Sequence, residues 1–171
     1  MQPNQIIEFF IQDVSVELND EFDRNFERKA FFNEAWPAEK IKNSKGSQLT
    51  RSGTLRASIH QTVLDNIITW QSSLPYASIH NTGGEITITR NMQKFFWAMF
   101  YKNGGKQLKE SELSEEAKQW KYLAMAKVGT IFKIPKRQFI GEHPEVHRVI
   151  QNVFNDMEND LNEYVINHLK R

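Results

Sequence analysis

The nearest approach to a metal motif in this sequence is His143-Pro-Glu-Val-His147. Two histidines four apart share one face of a helix, which is how zinc proteases present two of their ligands. Those enzymes carry a glutamate directly after the first histidine, whereas here Pro144 stands there and Glu145 follows it. Proline suits the first turn of a helix, so His143 falls at a helix boundary and the pair reads as a solvated helix start. His60, His80 and His168 are scattered and belong to no nucleophile arrangement. Ser52-Gly53 lacks the Gly-x-Ser-x-Gly context of a nucleophile elbow. There is no phosphate loop and no dinucleotide fingerprint, and Asn103-Gly-Gly105 reads as a turn. Glu115 and Glu116 read as charges at a helix N-terminus rather than as a catalytic pair. With no cysteine, thiolate chemistry and disulfides are excluded, which fits a reducing cytoplasm. These residues point away from catalysis and imply no metal and no cofactor.

What remains is the chemistry of binding. Lys40, Lys42, Lys45, Arg51 and Arg56 surround a glycine-containing loop, and Lys133, Lys136 and Arg137 flank Pro135. Either segment, 40–56 or 133–137, could touch nucleic-acid phosphates, which defines the alternative reading of a nucleic-acid-binding accessory protein. The simpler reading is solvated loops and partner contacts, because 22 basic and 21 acidic side chains leave a formal net charge of only +1. An aromatic run, Phe95-Phe-Trp97 with Phe100 and Tyr101, has helical spacing. Such a stripe is core or interface, and Phe96, Trp97 and Phe100 are the candidate interface residues. Lys94 and Lys102 alone do not make a membrane-surface helix, and no stretch approaches the roughly 18 apolar residues of a membrane span. The N-terminus also lacks the uninterrupted apolar core of a signal peptide.

The elements that position these residues follow from periodicity. Ile6, Phe10, Val14, Leu18, Phe22, Phe26 and Ala30 fall four apart, and neither Pro nor Gly interrupts between Asn4 and Trp36. That pattern predicts one helix over the first 30-odd residues, about 40 Å long, ended by Pro37. A four-residue step drifts about 40° per repeat around the axis. The two ends of the stripe therefore face different directions, one onto this subunit and one toward a neighbour, unless the helix bends around its own core. A loop at 42–47 leads to a short helical turn that Ser52 is placed to cap. His60–Leu64 and Ile67–Ser72 read as strands joined by an Asp65-Asn66 hairpin turn. Residues 74–84 form a turn and helix closed by glycines, and Glu85–Thr89 alternates as a strand. Residues 91–128 read as a helical hairpin, with its second helix beginning at Ser114, inserted before a strand at Thr130–Ile134. Pro144 opens a last helix with Val146, Ile150, Val153, Met157, Leu161 and Tyr164 on one stripe.

The expectation is a single α+β domain over 1–171. A small antiparallel sheet is packed by long N- and C-terminal helices, with a helical-hairpin insertion at about 91–128. At 39% hydrophobic and 25% charged, with 12 phenylalanines and 4 tryptophans, the chain can fill a core and still present aromatic anchors.

Three segments in order, Leu49–Ile59, Tyr76–Gly84 and Ile134–Gly141, resemble the tailed-phage virion morphogenesis family, the Mu-type tail completion proteins. Matching positions are Ser52 (in place of Thr), Gly53, Leu55 and Ser58, then Tyr76, Ala77, Ile79, His80 and Gly83. They continue with Ile134, Pro135, Arg137, Phe139, Ile140 and Gly141. Asn81, where the family usually has Gln, and the aromatic insertion depart from the pattern. The resemblance implies a non-catalytic role at the tail or head–tail junction, in a prophage or phage. It also implies a homo-oligomeric ring, other tail or connector proteins as partners, and residence in the host bacterial cytoplasm and then the virion tail or neck. Gly53, Leu55, Tyr76, His80, Gly83, Pro135, Arg137, Phe139 and Gly141 are expected to define the fold rather than an active site. Glycine permits tight backbone turns, proline fixes the exit of the last strand, and Tyr76 with His80 can bond neighbouring backbone.

Overall fold

The computed structural model describes residues 3–38, 49–50, 52–105 and 107–169. The 42–47 loop, Lys40, Lys42, Lys45 and Arg51 lie outside the described residues, as does the side chain of His168. The architecture is α+β, with two long helices bracketing small antiparallel ladders and a helical hairpin. Helix α1 (Pro3–Arg28) carries the four-residue stripe. Its drift is resolved inside one chain, because successive stripe residues enter two different core clusters. Val14, Leu18 and Phe22 pack with Phe31 and the facing side chains Val146, Val149, Ile150 and Val153 of α6 (Pro144–Leu169). One turn further on, Phe26 enters a second cluster with Leu49, Leu55, Ala77 and Phe139. Phe10 meets Phe154 edge-on, with ring centroids 6.1 Å apart, and Phe32 beyond the C-terminal end of α1 stacks on His143 at the head of α6, so α1 and α6 run antiparallel.

Helix α1 stops earlier than its periodicity predicts. No Pro or Gly marks the end. Lys29 takes a left-handed conformation, and Asn25 Oδ1 accepts from the Phe32 N–H at 2.9 Å. That bond turns the chain back and drops Ala30 and Phe31 into the core, as strand β1 (Ala30–Phe31) paired with β2 (Glu34–Ala35). Tertiary burial of two apolar residues thus overrides helix continuation.

Helix α2 (Thr54–Ala57) is capped at Gly53, with φ 68°, and not by Ser52. The Ser52 hydroxyl instead accepts from the Thr54 N–H at 3.3 Å, a local turn that competes with capping. Strands β3 (Ile59–Leu64) and β4 (Ile67–Ser72) pair antiparallel as expected, with Leu64 opposite Ile67. Asp65 and Asn66 both have positive φ (50° and 61°), which is the two-residue turn whose twist matches the strands.

Helix α3 (Ala77–Thr82) leads into β5 (Gly84–Thr87), which pairs with β6 (Ile131–Ile134). Among the described residues the strands thus form three separate two-stranded ladders and no continuous sheet. Between β5 and β6 lies the expected hairpin of α4 (Arg90–Lys102) and α5 (Glu115–Met125). Thr89 caps the first by accepting from Met92 N, and Ser114 caps the second by accepting from Ala117 N. The hairpin has its own small core of Phe100, Leu113 and Ala117, against which Trp97 and Trp120 pack.

Candidate functional site

The three sequence segments singled out above converge on one corner. Its centre is the run from Pro135 to Ile140, which pairs with no strand among the described residues although Phe139 is buried. Buried backbone needs hydrogen-bond partners, and here side chains supply many of them. Asn81, at the end of α3, accepts from the N–H groups of Phe139 (2.8 Å) and Ile140 (3.1 Å) and donates to the Ile140 carbonyl (3.0 Å). Asn25, fully buried at 0% exposure, donates to the Phe139 carbonyl at 3.2 Å. The Trp36 indole N–H donates to the Gln138 carbonyl at 2.6 Å. The Arg137 N–H donates to the His80 carbonyl at 2.8 Å, which fixes the start of the run to α3.

Arg137 is buried, with 4% exposure, and donates through Nε and Nη2 to the Pro37 carbonyl. Its Nη1 has no partner, and neither has His80 Nδ1. Burial pushes the His80 imidazole below its ordinary value, and the nearby Arg137 charge adds to that. Protonating His80 sets a second cation beside a buried one, so the corner is built for a neutral imidazole. The sign follows from linkage. With its folded value depressed, His80 contributes no pH dependence above 6.5, and stability declines as pH falls below that value through the folded one. His80→Gln should flatten that part of the stability profile between neutral and mildly acid pH. Urea melts across the range measure it, and an unchanged acid slope would show that His80 is not responsible.

Tyr76 lies edge-on to His80 at 6.0 Å, and the locking bonds run through Asn81 and the His80 carbonyl. Gly83 is required twice over. Its φ is 72°, and a Cβ there would sit 2.9 Å from the Lys136 backbone nitrogen. Gly83→Ala should therefore lower stability by about 2 kcal/mol or more, read as a shifted denaturation midpoint; an unshifted midpoint would mean the corner can open without cost. Leu55 and Phe139 are core residues beside Phe26, and Gly141 has φ 139°. Ser58 donates to the Leu55 carbonyl and bonds Ser72, tying α2 to the end of β4.

Asn25 and Asn81 are the residues that motif reasoning missed as organisers of this corner. An asparagine inside the fold carries no periodic signal, and only the tertiary structure reveals which backbone it serves. Asn81 is visible in the sequence just as a departure from the family pattern.

Other candidates fall elsewhere. His143 accepts from the Glu145 N–H through Nδ1 at 3.1 Å, so it closes the first turn of α6 as Pro144 implied, but it stacks on Phe32 at 4.9 Å and is packed rather than solvated. His147 is exposed beside Glu142. Arg56 is bound by Asp23 and Glu27, whose hydrogen bonds raise its pKa. Lys133 lies 3.7 Å from Glu85. Phe100 points into the hairpin core, Phe96 stacks on Trp120, and Trp97 stacks on Tyr101, while Phe95 and Tyr101 present exposed rings. A groove of about 770 Å³ lies between α1 and α6, and none of the motif residues lines it. Its walls include Asp13, Glu17, Asp156 and Asp160, a surface that repels phosphate.

The chain matches the phage virion morphogenesis family over residues 10–158, a span that includes most of both long helices and all three converging segments. No curated protein and no solved structure matches it.

Proposed function

Because the chain belongs to the phage virion morphogenesis family, we propose that it acts in tail completion or head–tail joining, assembling into a homo-oligomeric ring that binds neighbouring tail or connector proteins. The observation that carries this reading is the family match across residues 10–158. A supporting one is that the three sequence segments meet at a corner where Asn25, Trp36, Asn81 and Arg137 hydrogen-bond backbone. Of the basic segments behind the nucleic-acid alternative, Arg56 is held by two carboxylates and Arg137 is buried, which favours the structural role. The α4–α5 hairpin is the proposed partner surface, with Phe96, Trp97 and Phe100 shaping it and Phe95 and Tyr101 facing outward.

Deleting this protein from its phage should leave heads and tails that fail to yield infectious particles, and a normal yield of joined virions would overturn the role. Light scattering behind a sizing column, run over a concentration series, tests self-assembly. A discrete closed oligomer is expected. A monomer at every concentration would overturn intrinsic ring formation.

A further inference from the structure

Among the described residues, neither edge of the β3–β4 hairpin pairs with another strand. A two-residue turn makes Leu64 and Ile67 a pair that exchanges both of its backbone hydrogen bonds, and pairs of that kind alternate with non-bonded pairs along the ladder. Hence Thr62 with Thr69, and His60 with Gln71, also bond inward. The N–H and C=O groups of Ile59, Gln61 and Val63 on β3, and of Ile68 and Trp70 on β4, point outward. Among the described residues, none of these groups bonds to the backbone of another element.

Natural edge strands are guarded by charge, proline, bulges or short length. Neither IHQTVL nor IITWQS contains an acid, a lysine, an arginine or a proline, and both run six residues in unbroken register. The β5–β6 ladder is the contrast within the same chain, four residues long, carrying Glu85 and Lys133 and running into Pro135. The hairpin tip adds an apolar pair, Leu64 at 72% exposure and Ile67 at 64%.

We propose that β4 of one subunit adds to β3 of the next copy, head to tail, so that the hairpins close into a continuous antiparallel sheet around the ring. This rests on the self-assembly reading above and supplies its contact. A foreign strand would cover one edge and leave the other open. A second copy offers the complement to both edges, and repeated head-to-tail contact that closes leaves no edge at all. Rotation about an axis along the strands keeps every β3 parallel to every other β3, so each β4–β3 contact between copies is antiparallel like the one within the hairpin.

The test is amide hydrogen exchange on the full chain, read residue by residue, in dilute monomer and in assembled protein. The amides of Gln61, Val63, Ile68 and Trp70 should slow by about tenfold or more on assembly. An oligomer in which these amides exchange as in the monomer overturns the edge contact and leaves the ring reading standing. Protection of the β4 amides alone, with a mass of two subunits, would show a two-fold pairing and overturn the head-to-tail arrangement. Protection that arises only on adding another phage protein would overturn assignment to a copy. A monomer at all concentrations overturns both readings. Val63→Pro removes an outward N–H and no bond inside the hairpin, so it should weaken assembly by about tenfold while circular dichroism of the monomer stays unchanged.

Discussion

Asn81→Ala should lose about 3–5 kcal/mol of folding stability. The side chain makes three hydrogen bonds to the backbone of Phe139 and Ile140, and Phe139 lies in the core beside Phe26. Alanine leaves the Phe139 and Ile140 N–H groups without a side-chain partner, while the Ile140 carbonyl keeps the Gln138 amide at 3.3 Å. Each unsatisfied buried group costs about 1–3 kcal/mol, with water recovering part where the site is partly open. Asn81→Gln keeps both amide groups and should cost less than alanine. The measurement is urea unfolding, in which the midpoint falls while the slope with denaturant is unchanged. A loss below about 1 kcal/mol would mean that water replaces the amide and that the corner does not depend on it.

The second large effect is expected at Phe26. This ring is 1% exposed, edge-on to Trp36 at 5.8 Å and tilted against Phe139 at 5.1 Å. It joins α1 to the three converging segments, since Leu55, Ala77 and Phe139 come one from each. Phe26→Ala removes the transfer energy of the ring and leaves a cavity, a combined cost of about 3–5 kcal/mol. Phe9→Ala is the control on the same helix. Phe9 is 59% exposed, and its loss should change stability by about 0.5 kcal/mol or less. Comparable losses at the two positions would show that the N-terminal part of α1 is buried in the folded protein in solution, for instance by another copy. If Phe26→Ala were as mild as the control, the second core cluster would be loosely packed.

Both predictions bear on assembly through the same corner. The Asn81 amide holds the segment that leads from β6 to α6, and Phe26 holds the segment that leads from α2 into β3. A variant that loosens either one disturbs the orientation of the β3–β4 hairpin relative to the long helices. Assembly should therefore weaken alongside stability in these variants, whereas Val63→Pro should separate the two.

The sequence by itself determined the elements whose cause is local. The four-residue stripe of α1, the Asp65-Asn66 turn, the Ser114 start of the second hairpin helix and Pro144 at the head of α6 each rest on neighbours within a few residues. Their physics is periodicity, positive φ and unsatisfied helix ends, all of which are written in short windows. The ordered blocks from Leu49 to Gly141 likewise pointed to the family. Tertiary structure decided what depends on partners far along the chain. Asn25 ends α1 by taking the Phe32 N–H and at the same time reaches Phe139, 114 residues away. Asn81 replaces a missing strand for residues 139 and 140, and Arg137 spends its charge on the Pro37 carbonyl, 100 residues away. The division into three ladders was hidden for the same reason, since a strand's alternation shows which side chains are buried and says nothing about which backbone it meets.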